Sequence, residues 1–431
     1  MFFREIISFF SFSEPNVKIV FWGSLILCSV SGLVGTFTLL RKRSLIGDVI
    51  SHAVLPGIAL AFIIGQQKNP LYLIIGAVIT GWLATYLVDY ITKHSKIKND
   101  TAIALILSVF FGVGVLLLTH IQHSGNATQS GLDQFIFGRA SAMNSADVVL
   151  FSIAGLIITT LVITFFRGFT MLSFDESYAT AIGFPMEVLR IILSVVTVLT
   201  VAIGVQAVGV VLMSALLITP AAAARFWTNS IWKLALISTL ISGFSGIMGS
   251  AISYTYNGMP TGPWIVITAS FIALFSAFLG TKTGLYRNYK QRLQNNRKIL
   301  LENTIKLFYP LAKTSKTALK ETYSFAQIEE NCKMSVSTLR KGLHRLVRQN
   351  LVTKNGSGFL LTEDGLREAR SVVRKHRLWE LYISTYMHLQ PDHVHDDAEG
   401  IEHVITPEIE RELEEQLNFP TRDPHDSEIP Y

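Results

Sequence analysis

Apolar stretches long enough to cross a bilayer follow one another through the first 280 residues, at 17–40, 49–66, 70–92, 101–119, 146–166, 186–204, 205–224, 232–254 and 263–280. Roughly 20 apolar residues in helical form match a hydrocarbon layer about 30 Å thick, and a chain in lipid must satisfy its backbone internally. This part of the sequence is therefore restricted to a bundle of membrane helices. Nine crossings is the expected count. The run 186–224 also admits one span followed by a re-entrant turn near Gly204 and Gly209, which changes the count by one. No A-x-A cleavage pattern follows the first apolar run, so it reads as a retained helix.

The sequence is 50% hydrophobic and 16% charged, and nearly all of the charge lies in the N-terminal tip, short loops and the last 150 residues. The expected organisation is an N-terminal segment (1–16), an all-α membrane domain (17–280), a basic linker (281–298), a winged helix-turn-helix (299–365) and a helical metal-binding and dimerisation domain (366–431). Only two cysteines occur, Cys28 and Cys332, which excludes a disulfide framework and a zinc ribbon. Lys and Arg follow every odd span: Arg41 to Arg43, then Lys93, Lys96 and Lys98, then Arg167, then Arg225 and Lys233, then Lys282, Arg287 and Lys290. By the positive-inside rule the protein is expected in the plasma membrane as a multi-pass chain, with its N-terminus outside and its C-terminal domain cytoplasmic. The net charge of +6 is accounted for by those loops without nucleic acid.

Ionisable groups inside a membrane domain are costly and mark function. Asp48 and His52, at the start of the second span, are four residues apart and share a face if helical. Carboxylate with imidazole suits a borderline divalent cation: manganese, zinc or iron. Pro56 and Gly57, one turn on, free carbonyls for a transport path. The plainer reading is an Asp that caps the helix and a His bonded to a neighbouring carbonyl. His120 and His123 are placed in an outer loop, as ordinary loop histidines or as the first groups met by an incoming ion.

Three separated blocks carry a resemblance: Leu39 to Gly57, Ser173 to Gly183, and Gln206 to Arg225. Over roughly 20–280 the chain resembles the permease subunits of zinc, manganese and iron ABC importers. The resemblance implies that Asp48 and His52 contact metal within the membrane. It also implies that the segment holding Phe174, Asp175, Glu176 and Gly183 is a cytoplasmic coupling helix docking on an ATPase. No G-x-x-x-x-G-K-[ST] phosphate loop exists in the chain, so it is read as a transport subunit and not an enzyme. The implied partners are a separate ABC ATPase, an extracytoplasmic metal-binding protein, and a second permease subunit, identical or related, about a two-fold axis.

The tail reads as short helices at 299–314, 324–331, 335–349 and 363–388, with a two-stranded wing in 351–362 turning at Asn355-Gly356. The helix 335–349 is amphipathic, with Val336, Leu339, Leu343, Leu346 and Val347 on one side and Lys and Arg on the other. It has the form of the second helix of a helix-turn-helix, and Arg340, Lys341 and Arg345 are candidate DNA contacts. Downstream, Glu399, Glu402 and His403 fall on one face if helical, His376 and Glu380 repeat the i, i+4 spacing, and His395 lies between. A solvated polar face is the bland alternative for any one pair.

The whole of 299–430 resembles the iron- and manganese-dependent repressors of the diphtheria toxin repressor type, through Leu361 to Gly365, Arg374 to Leu381, His395 to His403 and Phe419 to Pro430. That resemblance puts His376, Glu380 and His395 on one metal site and Glu399, Glu402 and His403 on the other, with Glu399 where manganese-type members carry Glu. The family draws further ligands from the first helix of the winged domain, where this chain has Asn303 and Lys306, a weak donor and a cation. The second site is then incomplete, low in affinity or not occupied. The resulting expectation is an importer permease whose cytoplasmic tail senses imported metal and restrains transport. The alternative is a membrane-tethered, metal-dependent DNA-binding regulator, and a third reading leaves the tail purely structural. Divalent metal is both substrate and regulatory ligand, with no organic cofactor.

Overall fold

The computed structural model describes residues 2–43, 45–66, 70–123, 138, 143–255, 259–314, 319, 321–386, 403 and 405–431. It divides into two compact units, Met1–Asn288 and Tyr289–Tyr431.

The first unit is helical throughout its described residues. Its elements are α1 (Phe2–Phe10), α2 (Pro15–Leu40), α3 (Ile46–Gly65), α4 (Pro70–His94), α5 (Asn99–His123), α6 (Ser145–Thr164), α7 (Phe166–Phe174), α8 (Glu176–Ala181), α9 (Met186–Val208), α10 (Val210–Arg225), α11 (Ile231–Tyr254) and α12 (Thr261–Leu279). Local signals fix several ends. Pro15 opens α2, and α6 starts on a capping box in which Asn144 and Asp147 each accept from the other's backbone N–H.

Eight of these helices reach spanning length: α2 to α6, α9, α11 and α12. The ninth expected crossing, 205–224, is the shorter α10, of 16 residues. Apolarity is unbroken from 186 to 224, so hydropathy carries no mark of the break. The break falls at Gly209, whose φ of 93° and ψ of 161° belong to a region open essentially to glycine alone. The start of α10 nevertheless lies against Gly262 at the head of α12, and Phe226, just past its end, lies against Gly280 at the foot of α12. At 1.5 Å per residue α10 is about 24 Å long and runs alongside α12 from end to end.

Packing relies on small residues, as expected where lipid gives no hydrophobic drive between helices. A Cβ on Gly57 of α3 would lie 2.2 Å from the Gly76 carbonyl of α4, so these backbones touch. Between α2 and α11, the Ser238 hydroxyl donates to the Gly32 carbonyl at 2.7 Å and Ser250 donates to Ser24 at 3.0 Å. Phe37, Phe169, Met213, Leu216 and Leu217 fill the fully buried centre. Large apolar side chains such as Leu116, Leu156 and Phe271 point outward, the surface that hydrocarbon requires.

The second unit contains most of α13 (Leu285–Lys306), then α14 (Phe308–Thr314), β1 (Thr322–Ser324), α15 (Phe325–Glu330), α16 (Val336–Arg348), β2 (Val352–Asn355), β3 (Gly358–Leu361), α17 (Glu363–Tyr386) and α18 (Pro407–Gln416). The sheet order is β1-β3-β2, all antiparallel, with the β2–β3 hairpin turning at Gly356 and Ser357, one residue later than the expected Asn355-Gly356, because Asn355 pairs with Gly358 as the last residue of β2. β1 was not anticipated: three residues are too few to show an alternation. The first tail helix also begins well before 299, because 285–298, read as a linker, is helical. Ser335 caps α16 by accepting from the Thr338 N–H, and Leu339, Leu343 and Leu346 bury against Ile305, Phe308 and Val352. Val336, expected on the apolar side, is exposed; as the first helical residue it precedes the turns that pack.

Candidate metal sites

The membrane site is built on α3. The N-cap position is Leu45, which makes no side-chain cap, and Asp48 sits in the first turn, half-buried. Asp48 is therefore not the residue that caps the helix. His52, one turn further, is also half-buried, with its ring edge-on to Phe111 of α5 at 4.8 Å between centroids. Its Nδ1 is buried and has no hydrogen-bond partner among the described residues, so the carbonyl bond of the plainer reading is absent there. Leaving such an atom unsatisfied costs about 1–3 kcal/mol. Pro56 lies inside the helix and has no N–H to give the carbonyl four residues back, which is that of His52 itself. Carboxylate, imidazole and a released carbonyl thus occupy consecutive turns of one helix, a donor set that fits manganese, zinc or ferrous iron.

His120 and His123 end α5 rather than lying in a loop; both are exposed, and His123 donates from Nδ1 to the Thr119 carbonyl at 2.8 Å.

The segment after α7 exposes an apolar ridge. Phe174 is 66% exposed and Tyr178 60%, with Ile182 beside them. Asp175 caps α8 by accepting from the Tyr178 N–H at 2.8 Å, and Gly183, at φ 89°, turns the chain toward α9. Glu176 pairs with Arg190 of α9. From there the contacts continue: Ser194 of α9 hydrogen-bonds Thr85 of α4 at 3.1 Å, and Asp89 of α4 pairs with Arg43, just before α3, at 2.7 Å. Three polar pairs, spaced one helical turn apart on α9 and on α4, thus lie between α8 and the turn that launches the Asp48–His52 helix.

In the tail, His376 and Glu380 are both buried on α17, with Nε2 3.0 Å from Oε1. They line a cleft of about 490 Å³ together with Asn303 and Lys306 of α13 and with Asp423 and His425 near the C-terminus. The two first-helix positions that the repressor resemblance singled out thus face the His376–Glu380 pair. His403 lies elsewhere: its Nδ1 is 2.5 Å from Oε2 of Glu302, and both residues are buried. Sequence reasoning missed Glu302, because its partner is 101 residues away. His395, Glu399 and Glu402 lie outside the described residues. Among the described residues no group of three or more His, Cys, Asp or Glu side chains converges. Each of the two separate pairs offers one imidazole and one carboxylate, donor types that suit a divalent metal of the same borderline class.

Of the candidate DNA contacts, Lys341 is exposed and Arg345 half-buried, while the Arg340 guanidinium lies 5.5 Å over the Phe325 ring. The recognition-helix position is thus partly engaged in the domain's own packing.

Residues 13–280 match the ABC 3 transport family, and residues 362–431 match the iron dependent repressor, metal binding and dimerisation domain. The manganese transport system membrane protein MntC of Bacillus subtilis is 36% identical over 377 residues, covering 87% of this chain and 86% of that protein. That alignment is longer than the whole membrane unit, so the likeness extends into the tail. The zinc transport system membrane protein TroC of Treponema pallidum is 41% identical over 282 residues, covering 65% of this chain and 95% of that protein. A solved structure of PsaBC from Streptococcus pneumoniae in complex with Fab superposes with a TM-score of 0.58 at 33% identity, over 65% of this chain and 97% of that one. An Asp-His pair on a proline-containing membrane helix is thus found in a chain that belongs to the ABC 3 transport family of permeases and carries a metal-binding repressor-type domain.

Proposed function

We propose that this chain is the membrane subunit of an importer for a divalent transition metal, manganese first and zinc or iron after it, regulated by its own tail. The observation that carries the transport reading is the buried, unsatisfied Nδ1 of His52 one helical turn from Asp48, beside the carbonyl that Pro56 releases. A cation is the partner that such a set lacks. Manganese leads because Glu399, by resemblance, puts a hard oxygen donor in the tail, and because MntC of Bacillus subtilis is described as a manganese transporter.

ATP hydrolysis comes from a separate subunit, which docks on the exposed ridge of Phe174 and Tyr178 with Asp175, Glu176 and Gly183 shaping the segment. An extracytoplasmic binding protein delivers the ion, and a second permease subunit doubles the Asp48–His52 pair about a two-fold axis. The distribution of Lys and Arg puts the tail in the cytoplasm, where it meets metal that has already entered. There His376, Glu380, His395, Glu399, Glu402 and His403 take up metal and bias the pore toward rest.

Uptake into proteoliposomes containing the chain, its ATPase and its binding protein tests both parts. Asp48→Ala is expected to abolish uptake of manganese, zinc and ferrous iron alike. Glu402→Ala is expected to transport normally but without the decline that follows rising internal metal. Normal transport by Asp48→Ala would refute the membrane site; wild-type inhibition in Glu402→Ala would refute the sensor. A gel shift by the full chain in detergent, dependent on manganese at low salt, would instead favour DNA binding.

A further inference from the structure

The first tail helix, α13, contributes residues to both buried donor pairs. Asn303 and Lys306, three apart, line the His376–Glu380 cleft. Glu302 precedes Asn303 by one residue and Lys306 by one helical turn, and its carboxylate engages His403. Its side chain is nearly as buried as the histidine side chain it touches, at 10% and 5% exposure. A buried carboxylate persists only with partners. Glu302 has the His403 ring nitrogen at 2.5 Å and the Lys298 ammonium at 3.6 Å, and that ammonium also donates to the His403 carbonyl at 3.0 Å. Both ends of His403, ring and backbone, are thereby tied to one turn of α13.

A carboxylate that accepts from Nδ1–H fixes the tautomer and orientation of a neutral imidazole, leaving Nε2 as the nitrogen with a lone pair for a metal. We propose that Glu302 is the positioning residue of the His403 metal site: it supplies from the first helix, through the imidazole, the connection that Asn303 and Lys306 do not make. The inference rests on the reading of His403 as a tail metal ligand. It assigns α13 to the site without a direct bond from helix to metal. Lys298, more than half exposed, balances the carboxylate's charge and adds little affinity of its own.

The test is metal affinity of the full-length chain in detergent, in an Asp48→Ala background that removes the membrane site, with Mn²⁺ measured by competition against a fluorescent chelator. Loss of the orienting carboxylate in Glu302→Ala is expected to weaken binding about 10–100-fold, the usual cost of such a partner. Glu302→Gln, whose amide oxygen still accepts from Nδ1–H, is expected to recover a large part of that loss. With Co²⁺ in place of Mn²⁺, Glu302→Cys is expected to show no thiolate-to-cobalt absorption band. Such a band, or failure of Gln to recover more than Ala does, would overturn the positioning role in favour of a direct ligand. Wild-type affinity in Glu302→Ala, with loss in His403→Ala, would overturn the inference alone. Wild-type affinity in His403→Ala would overturn it together with the sensing reading.

Discussion

His52 was legible in the sequence as half of a pair at helical spacing, but its decisive property was not. Spacing puts Asp48 and His52 on one face and Pro56 marks a carbonyl it cannot bond; only the packed structure shows an imidazole nitrogen buried without a hydrogen-bond partner among the described residues. That property separates function from stability. Replacing a buried unsatisfied polar group with an apolar one is neutral or stabilising. His52→Leu is therefore expected to abolish uptake while leaving the thermal midpoint of the detergent-solubilised chain unchanged or higher. A clear fall in that midpoint would mean that the ring is structural. Glu302 shows the opposite limit of sequence reading. The repressor resemblance pointed to its neighbour Asn303, and a contact spanning 101 residues leaves no local periodicity to reveal it.

Among the elements, the long apolar spans and the amphipathic α16 were legible in the sequence, whereas the helical 285–298, β1 and the choice of Gly209 over Gly204 as the break in 186–224 were not. Spanning helices announce themselves by 18 or more apolar residues, and α16 by Leu339, Leu343 and Leu346 at helical spacing. The division of 186–224 into 23 and 16 residues rests on Gly209 alone, and β1 exists only because β3 offers it an edge. The polar pairs between α8 and α3 were likewise invisible, since Glu176, Arg190, Ser194, Thr85, Asp89 and Arg43 belong to separate segments of sequence. If they transmit the ATPase's movement, Arg190→Ala is expected to leave ATP hydrolysis by the assembled complex within about twofold while uptake falls by about tenfold, roughly 1.4 kcal/mol of lost coupling. Equal loss of both activities would instead indicate failed assembly. The reversed pair, Glu176→Arg with Arg190→Glu, is expected to restore part of the uptake.

At the scale of the whole chain, the membrane unit and the tail have separate cores and separate family matches, which is why composition alone could separate them. Their independence makes a truncation informative. A chain ending at Asn288 is expected to import metal at the wild-type rate, in proteoliposomes with its ATPase and binding protein, and to continue importing as internal metal accumulates. Loss of transport on truncation would mean that the tail is needed for assembly. The unsatisfied nitrogen of His52 has a wider consequence. Whatever occupies that site relieves a standing cost, and a ligand that binds only the folded state shifts the folding balance by mass action. If the occupant is the transported metal, the permease is expected to be most perishable when cargo is scarce, so that metal supply would set the lifetime of the protein that gathers it, separately from any control the tail exerts.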